Sequence, residues 1–172
     1  VGIGLGVSGI SSNPNQITNN VFSIAGRNPI SGGSAPIGIF ARPLSVLGVD
    51  TVVNHWNMTG NTFKTTGTGF WNSMMEFGSD GGKEIQEGIF LVQNVFGGKA
   101  DKAISFCIDS ATITVAEGKG NVFNGNYDVP VGPINDVGVQ IYRGAPPSDK
   151  KLFVNNEDVT LWTPKAVQNL LK

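Results

Sequence analysis

Apolar positions along this chain come in short bursts, each cut off by glycine, proline or asparagine. The pattern predicts many short strands joined by turns in place of a few long helices. The cleanest alternation spans 110–116, where Ala111, Ile113 and Val115 share one face and Thr112 and Thr114 the other, the period of a half-buried strand. Further strands are read at 44–54, 61–71, 103–108, 121–129, 137–143 and 152–154, with 21–24 as an edge strand and Asp109 as a bend. Asn124-Gly125 has the residues of a tight hairpin, because both tolerate positive φ. The stretch 83–96 is ambiguous. Ile85, Ile89, Val92 and Phe96 recur at helical spacing, with Gly97-Gly98 as a stop, while Gly88 and the run Ile89-Phe90-Leu91-Val92 suit a buried strand; the balance tips to helix. Thr163, Pro164 and the stripe Val167, Leu170, Leu171 predict a capped helix over 164–171.

No repeat of fixed period is evident. The expected class is therefore mainly β: an antiparallel β-sandwich or jelly-roll barrel with a short C-terminal helix. Residues 11–43 are so rich in Pro, Asn and Gly that 1–43 reads as an extended arm and linker, leaving 44–172 as one domain.

Composition narrows the functional classes. Charged residues make up only 15% of the 172 positions and the net charge is −1, so no basic patch is available to displace counterions from nucleic acid. No run of apolar residues is long enough to cross a membrane as a helix. The single cysteine, Cys107, is flanked by Ile104, Phe106 and Ile108 and reads as a small buried residue within a strand.

The chemical motifs are thin. Gly4, Gly6 and Gly9 have dinucleotide-loop spacing, but Pro14 lies just beyond and no acid precedes Asp50. The glycine-rich stretch 78–84 lacks the spacing of a phosphate loop and reads as a polar turn. One histidine, His55, excludes an ordinary zinc site and sits outside any nucleophile elbow. Glu76 is the best candidate for acid–base chemistry, since its apolar neighbours Met74, Met75 and Phe77 favour the protonated acid, yet no partner acid stands out. Asn124, Asn126 and Asp128 lack the glycine and closing Glu of a calcium loop. Asn57-Met58-Thr59 is an N-glycosylation acceptor sequence. Trp56, Trp71 and Trp162 are read as core residues, with Trp162 anchoring the terminal helix. No catalytic residue, metal or cofactor is expected.

The N-terminal decapeptide alternates aliphatics with glycine and carries no charged side chain. Left free, it would expose an aggregation-prone edge. The sequence thus predicts an arm that adds to a neighbouring subunit, with Val1, Ile3, Leu5, Val7 and Ile10 as the assembly interface. Jelly rolls with extended arms are the build of many icosahedral virus coats. On that analogy the expected function is a self-assembling structural subunit, a capsid protein first, in a virion or at a cell surface. Its expected partners are copies of itself and a second coat protein, not nucleic acid. The alternative is a carbohydrate-binding module or lectin, with exposed aromatics beside Asn and Asp around 124–128.

Overall fold

A computed structural model describes residues 3–5, 8–26, 36–41, 53–78, 85–127 and 136–172. Four asparagines organise it. Asn20, Asn61, Asn94 and Asn121 each follow a residue with positive φ: Asn19 (58°), Gly60 (69°), Gln93 (55°) and Gly120 (66°). Each pair makes a two-residue corner, and a β-branched residue and a phenylalanine follow: Val21-Phe22, Thr62-Phe63, Val95-Phe96 and Val122-Phe123. The corner joins β2 (Asn15–Thr18) to β3 (Val21–Ile24), β5 (Trp56–Thr59) to β6 (Thr62–Thr65), β8 (Ile85–Val92) to β9 (Val95–Phe96), and β11 (Thr112–Lys119) to β12 (Val122–Phe123).

A chain that turns the same corner once per circuit brings each strand beside its counterpart from the previous circuit, running the same way. The remaining strands are β1 (Ile3–Gly4), β4 (Ile37–Ala41), β7 (Trp71–Phe77), β10 (Lys99–Cys107), β13 (Asn126–Tyr127), β14 (Val139–Tyr142), β15 (Leu152–Val154) and β16 (Glu157–Asp158). Sheet A runs β1-β4-β7-β10, with β13 and β14 both beside β10; sheet B runs β2-β5-β8-β11-β15-β16; sheet C runs β3-β6-β9-β12. Among the described residues every strand pair is parallel except β15–β16. The architecture is a parallel β-helix, a solenoid of stacked rungs.

This overturns the antiparallel jelly roll. Period-2 alternation records which side chains face a core and is silent on strand direction, which the connections decide. The hairpin at Asn124-Gly125 is corrected for the same reason: β12 pairs with β9 and β13 with β10, so the two are not partners. The helix over 83–96 is also corrected, because β8 and β9 occupy it. Gly88, at φ 68°, inserts an extra residue into β8, and the register moves from Ile113↔Gln86 to Val115↔Ile89. That bulge shifts the inward set from Gln86 to Ile89 and Leu91, so the stripe Ile85, Ile89, Val92 and Phe96 does not share one face: Ile85 is exposed. The expected strand at 44–54 lies mostly outside the described residues.

The terminal helix is as expected. α1 (Pro164–Leu171) starts with Pro164, and Thr163 accepts a bond from the Ala166 N–H. Its buried face, Val167, Gln168 and Leu171, lids the last rung. The Leu171 carbonyl accepts from Asn121 Nδ2 at 2.7 Å, which closes that end of the asparagine column. Gln168 Oε1 accepts from the Gly138 N–H at 2.6 Å. Strands β1–β4, within the stretch 1–43, pair with one another and with β5–β7 as the first rungs of the same solenoid.

Two columns run up the interior. In the polar one, Asn61 Oδ1, Asn94 Oδ1 and Asn121 Oδ1 accept the backbone N–H groups of Asn20, Asn61 and Asn94 at 3.1, 3.0 and 3.0 Å. Their amide nitrogens donate to the Ile17, Met58 and Leu91 carbonyls, each at 2.8 Å. In the apolar column, Phe22, Phe63, Phe96 and Phe123 stack with centroids 4.7, 5.5 and 5.0 Å apart. Those steps are close to the ~4.8 Å spacing of paired strands.

Candidate functional site

Sheet A carries the candidate site. Its central strands carry runs of consecutive buried positions: Ser73, Met74 and Met75 on β7, and residues 103–107 on β10. On β4 the matching position is Gly38, where a Cβ would lie 2.6 Å from the Met74 carbonyl and from the Phe63 ring. Glycine is required there to let the backbone close over the core. Because β7 and β10 are in register (Ile104↔Met75, Lys102↔Ser73), these buried runs lie side by side.

Over this part of the sheet lies an open groove of about 340 Å³, crossing strands β7, β10 and β14. Buried Ser73 and Ser105 form its floor, their hydroxyls 3.3 Å apart. Half-buried Glu76, Asp101 and Lys102 line its sides. Gln140 and Tyr142 stand exposed at the β14 edge. Register places Glu76, Ser105 and Gln140 in one row across the sheet, and Cys107 beside Tyr142 in another. Burial lowers the pKa of the Lys102 ammonium, opposed by the Asp101 carboxylate. Cys107 is buried in the strand, as its flanks predicted.

Glu76, singled out by its apolar neighbours, does share its groove with a second acid, Asp101. In the register Asp101 lies opposite Asn72, four residues before Glu76 on β7, a backbone run of about 13 Å along a strand. Asp101 was missed because only the register of β7 and β10 brings it to this groove.

Other predicted residues fall elsewhere. Ile3 sits in β1, paired with β4, and Leu5 is buried in the core. Ile10 is exposed, while Val1 and Val7 lie outside the described residues, as does most of the glycine-rich stretch 78–84. His55 precedes β5, and its ring packs on Gly88, where a Cβ would approach Nδ1 to 2.1 Å. Asn57 Nδ2 donates to Gln16 Oε1 at 2.8 Å on the outer side of sheet B. Near the expected ligand loop, Asn124 is exposed, Tyr127 is buried and Asp128 is outside the described residues. The Tyr127 hydroxyl donates to the Phe96 carbonyl at 2.6 Å, and burial raises its pKa. Trp56 and Trp71 are core residues as read, but Trp162 is not: it is 36% exposed. Among the described residues no group of three His, Cys, Asp or Glu side chains could hold a metal, and no helix is long and apolar enough to cross a membrane.

Fold and groove together define a parallel β-helix with a polar, aromatic-edged furrow on one sheet. Comparison with protein-family models, with curated proteins and with solved structures returns no match for the chain.

Proposed function

We propose that the protein binds a neutral, extended saccharide along the outer face of sheet A. The observation that carries this reading is the groove itself, with hydroxyl, amide, carboxylate and ammonium groups converging beside an exposed tyrosine ring. Sugar hydroxyls need donors and acceptors together, and a sugar's C–H face packs on an aromatic ring. Glu76 and Asp101 against Lys102 give the groove a formal charge of −1, which disfavours an anionic polymer. A row of polar side chains, one from each strand (Glu76, Ser105 and Gln140), suits an extended ligand with polar groups along its length. Tyr142→Ala should weaken saccharide binding about tenfold in titration calorimetry, with no change in thermal stability. Binding indistinguishable from that of the unaltered protein would sink the proposal.

A second reading, self-association, keeps one observation in its favour. Among the described residues β1, β2 and β3 are each an edge strand of their sheets, and they contain no charged residue and no proline to protect those edges. Light scattering after gel filtration should then give a dimer or larger species that persists in high salt; a monomer at high concentration would reject it. The coat-subunit analogy rested on a jelly roll and has lost that architectural support.

A further inference from the structure

The segment between β16 and α1 is held by more bonds than a surface loop needs. Asp158 Oδ1 accepts from the Thr160 N–H at 3.1 Å and from its hydroxyl at 2.6 Å, while Lys151 Nζ donates to Asp158 Oδ2 at 2.8 Å. These donors pull the Asp158 pKa down to about 2, the Lys151 ammonium contributing most. Arg143 reaches across from the end of β14, donating from Nε and Nη2 to the Thr160 carbonyl at 3.0 and 2.8 Å and from Nη2 to the Trp162 carbonyl at 3.0 Å. The Trp162 N–H donates to the Val159 carbonyl at 2.9 Å.

A backbone so firmly tied nevertheless presents its two largest apolar side chains outward, Leu161 at 89% and Trp162 at 36% exposure. Leu161 gains almost nothing from burial there and Trp162 leaves 36% of its surface to solvent, although burying such side chains is what stabilises a core. Trp162 is not the anchor of α1, a role Val167 and Leu171 fill. Beside it lies a cleft of about 480 Å³ lined by Ser148, Asp149, Lys151, Asp158 and Thr160. The charges around the cleft cancel, with Lys150 paired to Asp149 at 3.2 Å and Lys151 to Asp158 at 2.8 Å. A part-exposed indole on a tied backbone, beside a charge-balanced set of hydroxyl, carboxylate and ammonium groups, is suited to a neutral polyhydroxylated ring.

We propose that the Trp162 cleft is a second saccharide subsite, resting on the reading of the sheet A groove as the first. The two are linked by adjacent residues: Tyr142 edges the groove and Arg143 clamps the loop that carries Trp162. An oligosaccharide long enough to reach both gains from the second contact without a second loss of translational freedom. The chain therefore discriminates by ligand length.

The test uses the full chain, with disaccharides and hexasaccharides of the cello, malto, xylo and chito series as probes. Hexasaccharide should quench tryptophan fluorescence, since Trp56 and Trp71 are buried and Trp162 is the exposed indole among the three. Trp162→Ala should weaken hexasaccharide binding about tenfold in calorimetry and leave disaccharide binding unchanged, and Trp162→Phe should recover part of the loss. Tyr142→Ala should weaken both. Hexasaccharide affinity unaltered in Trp162→Ala, with binding still lost in Tyr142→Ala, overturns the second subsite alone. Failure of the unaltered protein to bind any of these probes overturns both readings.

Discussion

Asn94→Ala should destabilise the protein by about 3–5 kcal/mol in equilibrium urea unfolding, an effect at the upper end for one polar side chain. Asn94 is fully buried in the middle of the asparagine column. Its Oδ1 accepts from the Asn61 backbone N–H and from Asn61 Nδ2, at 3.0 and 3.1 Å. Its Nδ2 donates to the Met58 carbonyl and to Asn121 Oδ1, at 2.8 and 3.0 Å. Alanine leaves the Asn61 N–H and the Met58 carbonyl buried without those partners, each at a cost of about 1–3 kcal/mol, before the small cavity is counted. Asn20→Ala is the control. Asn20 is exposed at the end of the column, where water replaces what is lost, so that variant should stay within about 1 kcal/mol of the unaltered protein. Equal effects at the two positions would mean that the column's interior is not dry.

Phe63→Ala is expected to cost about 3–5 kcal/mol by the same measurement, through a different mechanism. Phe63 is fully buried, stacked on Phe22 at 4.7 Å and on Phe96 at 5.5 Å, and edge-on to Trp71 at 6.3 Å. Its ring also fills the space left by Gly38. Truncation opens a cavity between rungs that neighbours cannot close, because the hydrogen-bonded strands above and below hold the spacing. Phe63→Leu, which keeps most of the volume, should lose clearly less. If leucine and alanine proved equally damaging, ring stacking rather than filled volume would carry the stability.

Both predictions rest on a repeat that the sequence contains but does not advertise. The triplets Asn20-Val21-Phe22, Asn61-Thr62-Phe63, Asn94-Val95-Phe96 and Asn121-Val122-Phe123 are visible in the one-letter string. They stand 41, 33 and 27 residues apart, so a search for a constant period passes over them. A solenoid needs the same corner on every circuit, yet it tolerates loops of any length between corners, and loop closure costs little more as loops lengthen. Corner chemistry was the signal, and periodicity was not.

What the sequence determined by itself was local. Thr163 and Pro164 specify the start of α1 because cap and N1 preferences act within one turn of chain. The alternation at Ala111, Ile113 and Val115 specifies β11 and its inward face, since all three are fully buried. Asn19, Gly60 and Gly120 mark three of the four corners through their tolerance of positive φ, and Gln93 takes the same conformation at the fourth. What only the tertiary structure decided was partnership. Alternation is the same for parallel and antiparallel strands, so the sense of every sheet waited on the connections. Ile85, Ile89, Val92 and Phe96, at helical spacing in the chain, belong to β8 and β9 and do not share one face. The groove joins Glu76 of β7, Asp101 of β10 and Tyr142 of β14, residues that become neighbours only when rungs stack in register. Trp162, with its flanking Leu161, reads as an apolar anchor until Arg143, 19 residues earlier in the chain, holds its backbone at the surface. Side-chain identity sets what a residue can do; long-range backbone pairing sets which other residues it does it with.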